Sequence, residues 1–452
     1  MSLENHPTQL KAMIFTLGCK VNYYEGEALR EQFRKDGFVV VEEVELADVC
    51  VINSCAVTGQ AVRKCRQLVR RLKKANPEAF IAVAGCYPQA DPEEAASLAE
   101  VDLVAGAAEK LLLPGLIKKK AAGDGVPGKD YVRLFAPAQK LAFEDMPWTP
   151  EQGRARAFLK IQDGCEQFCT FCTIPLVRGP LRSLPPERGM YYLQQMGASG
   201  FREVVLTGIH LGLFGTDLTS PTSLASFLQA AVAVDGIERI RLSSLEPSDI
   251  REDLIKIMAD NEKICRHLHI PLQSGDDLIL QKMGRPYGTE YYSDLLKRLT
   301  AEIPDLAVST DLMVGFPGES EANFQQSLDF VRSSAFSRLH VFKFSPRNGT
   351  PAAEMTPQIR LAEKERRSRE MISLGEELSR LYQEKFLGRI FPVLLEKEKT
   401  SLQEERGPWE GLTSNYLRVQ VEIAAPGDWR GKIVNVLLEE SCNGYLKGTL
   451  LN

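Results

Sequence analysis

AFLKIQDGCEQFCTFC, residues 157–172, decides how this chain folds. AFLKI is a short apolar run that stops at a polar loop, and the loop carries Cys165, Cys169 and Cys172 in the spacing C-x3-C-x2-C. Runs of the same kind recur downstream at REVVLTG (202–208), RIRLSS (239–244), HLHIPL (267–272), LAVSTDLMVG (306–315) and RLHVFKF (338–344), with helical patterns between them. About six βα units at this regularity exclude a sandwich and predict a partial or full β/α barrel, whose chemistry gathers where the strands end. Upstream, MIFTLG (13–18), DVCVINS (48–54) and FIAVAG (80–85) alternate with the amphipathic stretches YYEGEALREQFRKDGF (23–38) and AVRKCRQLVRRLKKANP (61–77). That alternation predicts a parallel, doubly wound α/β layer.

The remaining divisions follow from composition. Residues 116–153 hold Gly, Pro and the triplet Lys118–Lys120 with little periodicity, and read as a linker. A charged helix is expected over 357–386. FPVLLEKE (391–398), NYLRVQVEI (415–423) and KIVNVLLEE (432–440) read as strands of a small all-β barrel. The expected parts are therefore 1–115, the linker 116–153, a barrel over 154–380 and a small β-barrel over 381–452. With 452 residues, 44% of them hydrophobic and 25% charged, the chain is globular. A net charge of −5 excludes a uniformly basic nucleic-acid coat but not a local basic face. No apolar run approaches the ~18 residues of a membrane span, and MSLENHPTQLKAM has no apolar signal core, so no membrane and a cytoplasmic location are expected.

Ten cysteines in such a chain point to metal or redox chemistry. Thiolates suit iron–sulfur clusters or zinc. A structural zinc wants a fourth ligand nearby, and no Cys or His follows Cys172 within thirty residues. Three thiolates on a four-iron cluster leave one iron open to a ligand. The alternative, three cysteines along a helix face, leaves little room between Gly164 and Pro175. Cys19, Cys55 and Cys86 each end one of the upstream strands, in FTLGC, INSC and VAGC. Ligands of open α/β sheets collect at that edge, so these three make either a second three-thiolate site or a coincidence of buried cysteines. Cys50, Cys65, Cys265 and Cys442 are assigned no role, and His267 and His269 read as strand packing.

These motifs, in this order, resemble the radical S-adenosylmethionine methylthiotransferases. TLGCKVN (16–22), NSCAVT (53–58) and AGCYPQ (84–89) resemble that family's N-terminal domain. GCEQFCTFC with IPLVRGPLRS resembles its radical loop, and LTGIHLG, SSLEP, HIPLQSG and DLMVGFPGE resemble its barrel strands. GLTSNYLRV (411–419) is similar to its closing RNA-binding barrel, TRAM. The CKVN form resembles the branch acting on N6-threonylcarbamoyladenosine of tRNA, with Tyr23 standing where that branch usually has Gln. Other branches act on N6-isopentenyladenosine or on a ribosomal-protein aspartate.

The resemblance implies two [4Fe–4S] clusters, one on Cys165, Cys169 and Cys172 and an auxiliary one on Cys19, Cys55 and Cys86. It implies S-adenosylmethionine at the open iron, with Thr207, Gly208, Ser244, Glu246, Gln273 and Gly315 as candidate contacts. The implied outcome is replacement of an adenine C2–H by methylthio through a carbon radical. The partners would be a tRNA anticodon stem-loop, an electron donor and a sulfur source. Arg63, Lys64, Arg66, Arg70, Arg71, Lys73 and Lys74 offer a basic face. Arg178, Arg182 and Arg188 are further expected phosphate contacts, and Tyr416 an expected base-stacking residue. A non-catalytic, RNA-binding iron–sulfur protein is the alternative class. An open iron argues against it, because electron carriers normally use four thiolates per cluster.

Overall fold

The computed structural model describes residues 9–56, 58–121, 130–131, 142–150, 153–399 and 407–451. The first strands are β1 (Lys11–Thr16), β2 (Val39–Val40), β3 (Val49–Ser54), β4 (Phe80–Gly85), β5 (Leu103–Ala105) and β6 (Asp130–Tyr131). They form a parallel sheet in the order β2-β1-β3-β4-β5-β6. Alternation along the strands splits the core in two. Cys50, Ile52, Ile81 and Val83 pack under the helix Gly59–Ala75, while Ile14, Val51, Ala82 and Ala84 pack under Lys20–Lys35 and Leu113–Ala121. The sheet is therefore doubly wound, as its βα alternation predicts.

The expected linker is partly structured. Helix Leu113–Ala121 runs past residue 116, and β6 joins the sheet edge beside β5. Lys118–Lys120 close that helix, where cations suit the negative end of the helix dipole. A lysine triplet reads as loop only when composition is judged without the preceding LLLPGLI.

The central strands are β7 (Arg156–Lys160), the short β8 (Gln162–Asp163) and β9 (Arg182–Ser183), then β10 (Glu203–Thr207), β11 (Arg239–Leu242), β12 (His267–His269), β13 (Ala307–Val314) and β14 (Arg338–Lys343). Two parallel sheets, β7-β10-β11 and β12-β13-β14, are joined by parallel bridges Ile240–Ile264 and Ser244–His269. The result is an open β/α barrel. Leu159, Leu206, Leu242, Leu268 and Val308 turn outward onto the helices. The residues between them turn inward, so Arg241 pairs with Glu203 and His267 meets Ser309 inside. β8 and β9 pair antiparallel and pinch the base of the cysteine loop between them.

Helix Leu361–Glu384 leads into β15 (Ile390–Glu398), β16 (Trp409–Leu412), β17 (Arg418–Val421), β18 (Ile433–Cys442) and β19 (Tyr445–Leu450). These close into a barrel in the order β15-β16-β17-β19-β18 around Val393, Leu395, Val419, Val436, Leu438 and Leu446. β16 and β19 are two strands that the apolar runs did not mark; WEGL and YLKGTL carry glycines that dilute the pattern.

Candidate active site

Cys165, Cys169 and Cys172 lie in irregular backbone between β8 and the helix Ile174–Arg178, not on a helix face. The Cys172 N–H donates to the Cys169 carbonyl (2.9 Å), and Phe168 turns the chain at φ 49°. Cys169 and Cys172 both feel the nearby Cys165, and Cys172 feels Cys169 as well. Burial raises the Cys169 thiol, against the pull of Arg285, and pushes Cys172 up to about 12. Thiols this disfavoured as bare anions suit metal ligation, which supplies the missing positive charge.

Donors surround the sulfurs. Arg285 donates to Cys169 Sγ (3.1 Å), the Gln167 and Ile174 amides approach Cys165 and Cys172 (3.5 and 3.4 Å), and His210 Nδ1 stands 3.4 Å from Cys165 Sγ. Burial would lower the His210 pKa, but Asp249 at 2.7 Å and Cys165 outweigh it and bring it to about 10. Such donors are the outer shell that tunes a cluster.

Cys19, Cys55 and Cys86 follow the ends of β1, β3 and β4, three adjacent strands. Thr16 is level with Asn53, and Ser54 with Gly85, so the turns leave one edge together. The fit is close: a Cβ on Gly18 (φ 111°) would stand 2.8 Å from Cys55 Sγ. Cys19 is exposed to solvent, with protein packed closely around its sulfur. Desolvation there raises its thiol, opposed by Arg178, and Cys86 bears on it as well. Among the described residues, no three of His, Cys, Asp and Glu are placed to hold a single metal ion. A four-iron cube takes its thiolates on separate corners, further apart than one ion's ligands.

Arg178, at the end of the helix that follows the radical loop, reaches the second cysteine group. Its Nε donates to Cys86 Sγ (3.3 Å), while its other nitrogens reach Asn22 Oδ1 (2.5 Å), Asp163 (3.2 Å) and both Glu25 oxygens. Glu25 is fully buried and also binds Lys110 and Lys160. Burial alone would raise its pKa; Arg178, Lys110 and Lys160 overcome that and hold it well below the carboxylate range. Arg178, Lys160 and Arg182 likewise bring buried Asp163 to about 2. Arg178 and Arg182 are thus interior ion-pair residues, contrary to the expectation of phosphate contacts, whereas Arg188 pairs with Asp145 (2.8 Å) and remains exposed. Local sequence does not reveal such long-range pairs.

The expected S-adenosylmethionine contacts fall in different settings. Thr207 is buried, and its carbonyl accepts from Ile161 (3.0 Å). Gly208 packs on Gln162, whose Oε1 accepts the His210 amide (2.6 Å). Ser244 is exposed at the end of β11. Glu246 is paired with Arg285, behind Cys169. Gln273 takes φ 70° and is bonded to β13. At Gly315 the room for a side chain is taken by Lys364, and its amide donates to Glu319 (2.6 Å). His210 and Arg285 were missed by sequence reasoning; His210 lies in LTGIHLG, three residues past Thr207.

Tyr416 does not face outward. At φ 65° it stacks on His267 (4.4 Å, 19°) and lies over Arg241 (4.8 Å), plugging the central barrel from below. The basic helix face does remain: Arg63, Lys64, Arg70, Arg71 and Lys74 are exposed, whereas Arg66 pairs with Glu94.

Residues 11–106 match a family described as uncharacterized protein family UPF0004, and residues 159–331 match the radical SAM superfamily. The threonylcarbamoyladenosine tRNA methylthiotransferase MtaB of Bacillus subtilis is 38% identical over 96% of this chain and 94% of its own. This chain belongs to the radical SAM methylthiotransferases. The Thermotoga maritima MtaB is 37% identical over 85% of this chain and 86% of its own. The tRNA-2-methylthio-N(6)-dimethylallyladenosine synthase of Caldicellulosiruptor saccharolyticus is 34% identical over 97% and 92%. Among solved structures, the methyltransferase TsrM of Kitasatospora setae, bound to cobalamin and a [4Fe-4S] cluster, superposes with TM-score 0.58 at 14% identity, over 76% of this chain and 77% of that one. At that identity the likeness bears on the fold alone. The radical SAM methylthiotransferase is an enzyme that uses S-adenosylmethionine and a [4Fe–4S] cluster. No helix among the described residues is long and apolar enough to cross a membrane.

Proposed function

We propose that this enzyme methylthiolates C2 of N6-threonylcarbamoyladenosine beside the tRNA anticodon, using a radical cluster on Cys165, Cys169 and Cys172 and an auxiliary cluster on Cys19, Cys55 and Cys86. The observation that carries the two-cluster reading is Arg178. It lies six residues past Cys172, the last thiol of the radical loop, and touches Cys86 across the domain boundary, which ties the radical loop's own segment to the second cysteine group. The substrate reading is supported by near full-length similarity to threonylcarbamoyladenosine enzymes at 35–38% identity.

When bound, the cluster and S-adenosylmethionine would supply the electron and the carbon radical that an unactivated C–H requires. The chain's own residues bind and orient. Gln162 and His210 hold the end of β10 against the radical loop, and the Glu246–Arg285 pair braces Cys169 from behind. The Glu25–Arg178–Asp163 network ties the two domains together across their seam. The small β-barrel and the basic face of Gly59–Ala75 are the proposed tRNA contacts. The target base must leave its stack to reach the mouth.

Anaerobic reconstitution tests this reading. The wild type should hold about eight irons as two four-iron clusters. Cys55→Ala should hold about half of that and still cleave S-adenosylmethionine reductively, whereas Cys165→Ala should lose the cleavage. Cleavage surviving in Cys165→Ala refutes the ligand assignment. In a strain lacking the gene, unchanged methylthiolation of threonylcarbamoyladenosine, read by mass spectrometry of digested tRNA, refutes the substrate.

A further inference from the structure

The helix Ile174–Arg178 has one end on each cysteine group. At its start the Ile174 amide donates toward Cys172 Sγ (3.4 Å), and at its close the Arg178 Nε donates to Cys86 Sγ (3.3 Å). Between the ends, Val177 is buried with Cys86 and with Ala56, the neighbour of Cys55, and Ile174 packs against the same apolar group. The chain then turns back to the radical loop. The Cys165 amide donates to the Gly179 carbonyl (3.1 Å). Gly164 lies so close to Pro180 that a Cβ on it would fall 1.9 Å from the Pro180 oxygen.

A second route runs through side chains. The Arg178 Nη1 donates to Asp163 Oδ2 (3.2 Å), and Asp163 Oδ1 accepts the Gly164 amide (2.8 Å), next to Cys165. The Arg178 Nη2 is held by Asn22 Oδ1 (2.5 Å) and Glu25 Oε2 (3.0 Å). A guanidinium is planar, so contacts on all three nitrogens fix its orientation as well as its place. Two routes thus join Cys86 to the backbone around Cys165, and the helix between them is five residues long, about 7 Å.

We propose that the helix Ile174–Arg178 is a strut that sets the separation of the two clusters, with Arg178 as its positioning residue. The inference rests on the two-cluster reading above and adds what the seam does for the reaction. In that reading the carbon radical arises at one cysteine group and the sulfur comes from the other, so adenine C2 must meet both in one bound pose. A misplacement of about 1 Å can cost on the order of a hundredfold in such an encounter. Charge alone does not account for the residue at 178. A lysine would bring the same charge as a single point, whereas the arginine fork reaches Cys86, Asn22, Glu25 and Asp163 together.

The test is electron paramagnetic resonance of the full-length enzyme, reconstituted anaerobically and reduced with dithionite so that both clusters carry a spin. In the wild type the two spins should interact and give a single defined splitting, which reports their separation. Arg178→Lys should still hold about eight irons, but its splitting should shift or broaden. The deoxyadenosine released per methylthio group installed should rise in that variant by about threefold or more. Asp163→Asn weakens only the side-chain route, so it should move both readouts the same way and by less. It also decides the matter if Arg178→Lys fails to fold or to load. A splitting unchanged in the variants that load overturns the strut, whatever the ratio, and leaves the two-cluster reading standing. A ratio that stays at the wild-type value while the splitting moves overturns the link to the reaction. A wild type that loads only about four irons overturns the two-cluster reading, and this inference with it.

Discussion

Glu25→Gln removes one negative charge from the centre of the domain interface and alters almost no volume. In the native protein Glu25 binds Lys110, Lys160 and Arg178, and Lys110 has no other ion-pair partner among the described residues. Both Glu25 and Lys110 are fully buried. Taking one member from a buried pair costs about 3–5 kcal/mol, because the other charge stays desolvated. Glu144 offsets part of this. Burial raises its carboxyl to about 7, and both Lys110 and Lys160 act on it. The expected net loss is about 2–4 kcal/mol. The loss should also acquire a pH dependence. A lysine left buried without its carboxylate titrates lower than in the unfolded chain, where its pKa is about 10.4. Between the two values the unfolded state binds more protons, so stability rises with pH. Urea unfolding followed by circular dichroism at several pH values from about 7 to 10 measures both effects. The variant should start well below the wild type and close the gap as pH rises. A loss under about 1 kcal/mol, or a gap that does not change with pH, would refute the view that this network is held together by charge.

Three further outcomes are expected. Gly18→Ala forces a side chain against Cys55 at φ 111°, which should cost about 1–3 kcal/mol and lower the auxiliary iron selectively, read by iron assay and Mössbauer spectroscopy. Asp163, at about 2 in the folded protein, contributes about 2 kcal/mol that is present above the unfolded value near 4 and lost as pH falls toward 2. Asp163→Asn should therefore flatten acid unfolding in that window. Reversing Arg70 and Arg71 to Glu should weaken tRNA binding across all sequences and reduce its salt dependence by about two phosphate contacts, measured by anisotropy against salt.

What could be read in the residues, and what could not, divides along chain distance. Period-two apolar runs marked β1, β3 and β4, and a thiol just past each end was enough to place Cys19, Cys55 and Cys86 along one edge. The same logic located the radical loop after β7. Arg178 shows the limit. Its partners Glu25, Asn22 and Cys86 lie 92 to 156 residues away, and nothing local separates it from a surface arginine in a basic stretch. Tyr416 sits in a loop rich in hydrogen-bonding residues and reads as a presented aromatic. Only its left-handed backbone and the position of the barrel beneath it turn it inward. Arg285 and His210 were hidden in the same way, since each acts on a cysteine brought near by the barrel's closure rather than by the order of the chain.

Neighbouring parallel strands stand about 4.8 Å apart, so the sheet spaces the turns that bear Cys19, Cys55 and Cys86 in fixed steps. The crossover segments between them, 36 and 31 residues from one cysteine to the next, have no part in that spacing. Helices and loops could therefore lengthen or shrink over generations without disturbing the thiols. Deleting one residue inside β3 would swap its two faces and retract Cys55 from the rim, making the short strands the least forgiving stretches of the chain.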